Sequence, residues 1–120
     1  MSRIFCIAGF SLERVSIDYG LECTLQSADQ WVNLRFTSAR LNDIKMIQVD
    51  DLNSLTNLLQ FLHSEIKELR IDAESVLRLT FEGGGEIRVY PNDEFEAWEL
   101  ATSDNKRIVC MPGGDIAEWN

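Results

Sequence analysis

With 120 residues, 45% of them hydrophobic and 26% charged, and with only 2 Pro and 7 Gly, the chain suits one globular domain and excludes a disordered or fibrous one. Twenty acidic residues against 11 basic ones give a formal charge of -9, which repels phosphate backbones and anionic headgroups. Nucleic acid and membrane surfaces are therefore not expected partners, whereas a basic protein is favoured by electrostatic steering; acidity for solubility alone is the competing explanation.

Ile4 to Phe10 is apolar but too short for a secretory leader, and no run approaches the ~20 apolar residues needed to span a bilayer. A cytoplasmic location is expected. Cys6, Cys23 and Cys110 are odd in number and widely spaced, with no paired cysteine or histidine motif, so neither a disulfide framework nor a zinc site is expected. Buried free thiols fit a reducing compartment.

The first third alternates at period two, as strands with one wet and one buried face do. Val15, Ile17 and Tyr19 share one face; Gly20 permits a turn; Leu21, Cys23 and Leu25 repeat the pattern, and Trp31 to Thr37 places Val32, Leu34 and Phe36 inward. Strands joined this tightly pair antiparallel. From Asp50 the spacing lengthens, and Leu52, Leu55, Leu58, Leu59 and Leu62 predict an amphipathic helix capped by Asp50 or Asp51 and broken near His63 or Ser64. Ile66 and Leu69 fit an extension of that stripe, and Leu69 and Ile71 fit equally the start of a new strand.

Beyond Asp72, Leu77, Leu79 and Phe81 face Ile87 and Val89 across the turn Glu82 to Gly85, a clear hairpin. Pro91-Asn92-Asp93 turns the chain into a strand from Phe95 to Ala101, and Ser103-Asp104-Asn105 turns it into another from Arg107 to Met111. Pro112 to Asp115 reads as a tight turn, with a tail ending in Trp119 that packs back on the sheet. The expected fold is a single α+β domain over residues 1–120, an antiparallel, meander-rich β-sheet of about seven strands covered on one face by one amphipathic α-helix.

Catalytic chemistry finds little support. The single histidine, His63, ends a leucine-rich helix, and no local signature pairs it with Cys110 as a thiol enzyme would require. Gly83-Gly84-Gly85 lacks the Lys-Ser/Thr and the following helix of a phosphate loop. Asp93, Glu94, Glu96 and Glu99 crowd together, but nothing supplies further ligands from a second element, so no metal and no cofactor is expected.

The same acidic stretch points to docking. Residues 91–120 hold seven acids against Lys106 and Arg107, over half of the net charge. Trp98 lies on a strand face with Glu94 and Glu96, and Glu99 lies on the other. An exposed Trp98 ringed by carboxylates would anchor a basic surface; an inward one would fill the core. Glu94, Glu96, Trp98 and Glu99 are the candidate partner-binding residues, for another protein of basic character, with no catalytic residue assigned. A small ligand-binding or enzymatic domain, and a self-associating homo-oligomer, remain the alternative readings.

The segments Leu77 to Phe81, Ile87 to Val89, Tyr90-Pro91-Asn92-Asp93-Glu94-Phe95-Glu96-Ala97-Trp98-Glu99-Leu100 and Val109 to Asp115 together resemble a family of small bacterial proteins of unknown function. Glu-Ala-Trp-Glu-Leu and Pro-Gly-Gly-Asp are the most distinctive pieces, and the strand pair from Gly9 to Leu25 is similar to that family's beginning. Such small acidic bacterial domains are similar to immunity proteins that sequester toxins. The resemblance therefore implies a toxin-like, basic protein partner and carries over no catalytic residue.

Overall fold

A computed structural model describes residues 2–120. A short strand, Arg3–Phe5 (β1), precedes the meander Ser11–Ile17 (β2), Leu21–Ser27 (β3) and Gln30–Phe36 (β4). The β2–β3 register slips between Leu12 and Arg14, and this bulge lets Leu12 share the inward face of Val15 and Ile17 despite the odd spacing. Ile17 is nevertheless half exposed, and Tyr19, expected to share that face, lies past the strand and is 95% exposed. Asp18 fixes that turn by accepting the Gly20 amide at 2.9 Å.

The chain then changes sheets through Thr37 alone. Ser38–Leu41 (β5) and Lys45–Gln48 (β6) form a hairpin whose turn places Asn42 and Asp43 at φ 52 and 59. Asn and Asp tolerate that left-handed backbone, so the turn forms without the glycine that usually advertises it.

The expected helix from Asp50 to His63 is largely absent. Leu52–Leu55 form a 3-10 turn, and Thr56–Leu59 (α1) form a single α turn. The Asp51 side chain makes no capping bond; instead its carbonyl accepts the Ser54 amide at 3.0 Å and the Ser54 hydroxyl at 2.7 Å, drawing the start into the tighter winding. Only Leu55 and Leu58 of the leucine stripe are buried, while Leu52 is 73% exposed and Leu59 and Leu62 are partly so. His63 ends the segment at φ 70, and its amide donates to the Leu12 carbonyl at 2.6 Å.

Ile66–Ile71 (β7), Leu77–Phe81 (β8) and Glu86–Val89 (β9) follow as a second meander, so Leu69 and Ile71 belong to a strand. Gly85 sits at φ 104, and a Cβ there would lie 2.6 Å from Phe61, whose ring stacks on Phe81 at 4.2 Å. Trp98–Thr102 (β10), Arg107–Cys110 (β11) and Ile116–Trp119 (β12) complete the chain.

These twelve strands, against the seven expected, form two six-stranded sheets, ordered β1-β7-β8-β9-β5-β6 and β12-β11-β10-β4-β3-β2, with every pairing antiparallel. One core lies between them: Leu25, Leu34 and Leu100 from the second sheet meet Leu69, Leu79 and Ile87 from the first. A second sheet therefore does the covering assigned to the helix. The tail adds an edge strand, and Trp119 remains half exposed beneath the Arg107 guanidinium, 5.3 Å from its ring.

Cys23 and Cys110 are buried free thiols, whereas Cys6, also expected to be buried, is exposed. Among the described residues no helix is long and apolar enough to cross a membrane.

Burial separates the leucines of the broken helix. Leu58→Ala is expected to cost about 2–5 kcal/mol in urea unfolding and Leu52→Ala less than about 0.5 kcal/mol. Equal losses at the two positions would contradict the short-helix geometry.

Candidate functional site: the crossover loop

Two connections carry the chain between the sheets side by side, and they differ in length. Arg40 on β5 pairs with Arg88 on β9, and Phe36 on β4 pairs with Trp98 on β10. One chain covers that interval in four residues and the other in ten, so six residues find no partner and must leave the ladder. The expelled segment contains Asp93, Glu94, Phe95 and Glu96, all exposed. The strand expected from Phe95 to Ala101 accordingly starts only at Trp98. Asn92 helps divert the chain, because its side-chain carbonyl accepts the Glu94 amide at 2.7 Å and closes a local turn in place of ladder bonds.

The base of this loop is clamped. Trp98 is 1% exposed, and its indole N–H donates to the Ser75 carbonyl at 3.0 Å. The Ser75 hydroxyl donates to the Gly114 carbonyl at 2.6 Å, and the Gly113 amide donates to the Asn92 carbonyl at 2.9 Å. Gly113 and Gly114 lie at φ 86 and 95, a backbone that glycine adopts without strain. The Trp98 and Pro-Gly-Gly-Asp pieces thus hold the root of the loop.

Asp72 braces the Ser75 turn by accepting the amides of Glu74 at 2.9 Å and Val76 at 3.1 Å, while Arg78 donates to its other oxygen at 3.0 Å. Burial opposes its ionisation, but the Val76 and Glu74 amides and Arg78 outweigh that and hold the carboxyl below its usual 3.8.

The predicted docking residues separate into three environments. Glu94 and Glu96 are exposed on the loop, with Asp93 beside them, and among the described residues none of the three joins an ion pair. They do not share a strand face with Trp98, which is core. Glu99 is half-buried on the outer face of the second sheet and accepts a hydrogen bond from Arg107 at 2.5 Å, so its charge is compensated. The remaining C-terminal acids also disperse: Arg3 pairs with Glu118 and holds that carboxyl below its usual range, and Asp104 accepts the Thr102 hydroxyl in the far turn.

Phe95 supplies the apolar group that the sequence reading assigned to Trp98. It is 47% exposed between Glu94 and Glu96, and its placement in a strand by simple alternation hid it. Beside it opens a cleft of about 190 Å3 lined in part by Arg40, Met46, Tyr90, Asn92 and Ala97. Tyr90 donates to Asp43 at 2.5 Å, and the Arg40 guanidinium sits 5.5 Å from the Tyr90 ring centroid.

Groups that could act as catalysts lie apart. The His63 amide is bonded to β2, while Cys110 is on β11, four strand spacings or roughly 19 Å away across the sheet. Burial raises the Cys110 thiol pKa, and burial and then Glu22 push the Cys23 thiol up to about 12, which disfavours the thiolate at both. Among the described residues no group of three or more His, Cys, Asp or Glu side chains converges on a metal position.

The architecture is that of a two-sheet antiparallel β protein with an acidic loop expelled between the sheets. A family model described as a family of unknown function, DUF6188, matches residues 5–120, and the chain belongs to that family. No curated protein and no solved structure matches the chain.

The Asp72 brace carries a pH signature. Its folded-state pKa lies below the unfolded value, so its stabilisation is complete above the unfolded value and is lost as pH falls through about 4 toward the folded pKa. Asp72→Asn is expected to cost about 1–3 kcal/mol at pH 7 and to flatten the loss of stability between pH 5 and 3. An unchanged acid limb in the variant would contradict this role.

Proposed function

We propose that this protein is a binding module that docks a basic protein partner through its crossover loop, with Glu94, Glu96 and Asp93 as the charged contacts and Phe95 as the apolar anchor. The observation that carries the reading is the expelled loop itself. Four consecutive exposed residues hold three carboxylates that join no ion pair among the described residues, around a half-exposed ring, on a root clamped by part-buried hydrogen bonds. A positioned loop of this kind orders few residues on binding, and an aromatic ringed by charge resembles the centre of an interaction hot spot.

The net charge of -9 adds long-range attraction for a cationic partner. A small acidic domain with such an element suits an immunity-type role, in which the loop covers a positively charged surface of a toxin domain. Trp98 serves this reading indirectly, by holding the root of the loop, whereas Glu99 is compensated by Arg107 and is not one of the charged contacts.

Tagged protein used for capture in its native host should retain a basic protein identifiable by mass spectrometry. The double change Glu94→Lys and Glu96→Lys should reduce affinity for that protein at least tenfold, as should Phe95→Ala, with the loss shrinking at high salt for the charge reversals only. Retention of an acidic partner, or capture indifferent to all three changes, would overturn the proposal.

A further inference from the structure

Half of the arginines in this acidic chain stand in one row. On the outer face of the first sheet Arg70 pairs directly with Arg78, Arg78 with Arg88, and Arg88 with Arg40, one guanidinium on each of four neighbouring strands. Ile4, 61% exposed, continues the row beyond Arg70, and Met46, 37% exposed, continues it beyond Arg40. Like charges directly opposite each other in a sheet destabilise it, and here the arrangement occurs three times in succession.

The two inner arginines are held by acids. Arg78 donates to Asp72 and Arg88 to Glu86, which fixes both guanidinium groups in place. The two outer ones make no hydrogen bond to an acid. Arg70 lies 3.7 Å from Glu68 without a hydrogen bond, and its Nε is sealed from solvent with no partner. Arg40 joins no carboxylate among the described residues and rests over Tyr90 at 5.5 Å.

We infer that this row is a second docking surface, for an extended acidic peptide segment whose carboxylates pair with Arg40 and Arg70. Three strand spacings separate these two arginines, about 14 Å, and four residues of extended chain also advance about 14 Å. Acidic side chains at positions i and i+4 therefore reach Arg40, which has no carboxylate partner among the described residues, and Arg70, whose only carboxylate contact is the 3.7 Å ion pair with Glu68; a guanidinium matches a carboxylate through paired N–H donors. Apolar residues just outside that span would meet Ile4 and Met46. Asp43, Glu68, Asp72 and Glu86 border the row and repel a densely charged polyphosphate more strongly than a segment with only two carboxylates. The Arg40 and Met46 end of the row borders the cleft beside Phe95, while the row runs away from the crossover loop through Arg88 and Arg78 to Arg70 and Ile4.

The test uses the full chain and a fluorescent ten-residue peptide with glutamate at two positions four apart, flanked by leucine, read by anisotropy at low salt. A peptide with glutamine at both positions, a ten-nucleotide oligothymidylate and inorganic phosphate serve as competitors. The glutamate peptide should bind saturably, at least tenfold tighter than the glutamine one, and Arg40→Gln and Arg70→Gln should each weaken it about tenfold. Arg35→Gln, on the other sheet, should leave binding unchanged, and near-ultraviolet circular dichroism should confirm that each variant is folded. Absence of saturable binding, indifference to Arg40→Gln and Arg70→Gln, or stronger competition by the oligonucleotide or phosphate than by unlabelled glutamate peptide would overturn the assignment.

Discussion

The shape of this molecule depends on a mismatch between two adjacent connections. The chain passes from the second sheet to the first through Thr37 alone, and returns beside it by a path six residues longer. The flanking ladders end at Arg88 and begin again at Trp98, so the surplus leaves as a loop over the edge of the core. Sheet pairing thus sets where the acidic segment lies before any of its own side chains act. Trp98 and the Ser75 and Gly113-Gly114 turns then fix its base, through the indole N–H of a buried tryptophan and a part-buried serine hydroxyl that each donate to a carbonyl.

The parts of the fold that period-two alternation could reveal were legible in the sequence. Leu21, Cys23 and Leu25, Val32, Leu34 and Phe36, and Leu77, Leu79 and Phe81 are buried as their spacing implies. Strands of three or four residues, such as β1, β5 and β6, are too short to show a period, and the β5–β6 turn uses Asn42 and Asp43 in place of glycine. The leucine stripe misled for a different reason. Helical spacing shows which side chains could share a face, but not whether a surface waits to receive them, and here the facing sheet already occupies that position.

The candidate site was half legible. Charge counting located the acidic segment, and Glu94 and Glu96 are exposed there. What composition could not show is which carboxylates have internal partners: Glu99 is matched by Arg107 from the adjacent strand and Glu118 by Arg3 from the other sheet, pairings that only the fold creates. The arginine row escaped for the same reason, since residues 40, 70, 78 and 88 are scattered in the chain and meet only when four strands align. Register thus gives the molecule two opposite features, a loop with surplus negative charge and a sheet face with a line of guanidinium groups. Glu68, Asp72, Asp43 and Glu86 offset the like charges of the row at Arg70, Arg78 and Arg88, which leaves Arg40 as its member without a carboxylate partner among the described residues.

The central claim is that the expelled segment is a docking element carried by the two-sheet core and not a part of it. Replacing Asp93–Glu96 with two glycines, and following thermal unfolding together with capture of the partner, measures this directly. The account predicts a melting temperature within about 8 °C of the parent, corresponding to ~1 kcal/mol or less, and complete loss of capture. A collapsed fold, or a folded protein that still holds its partner, would contradict it.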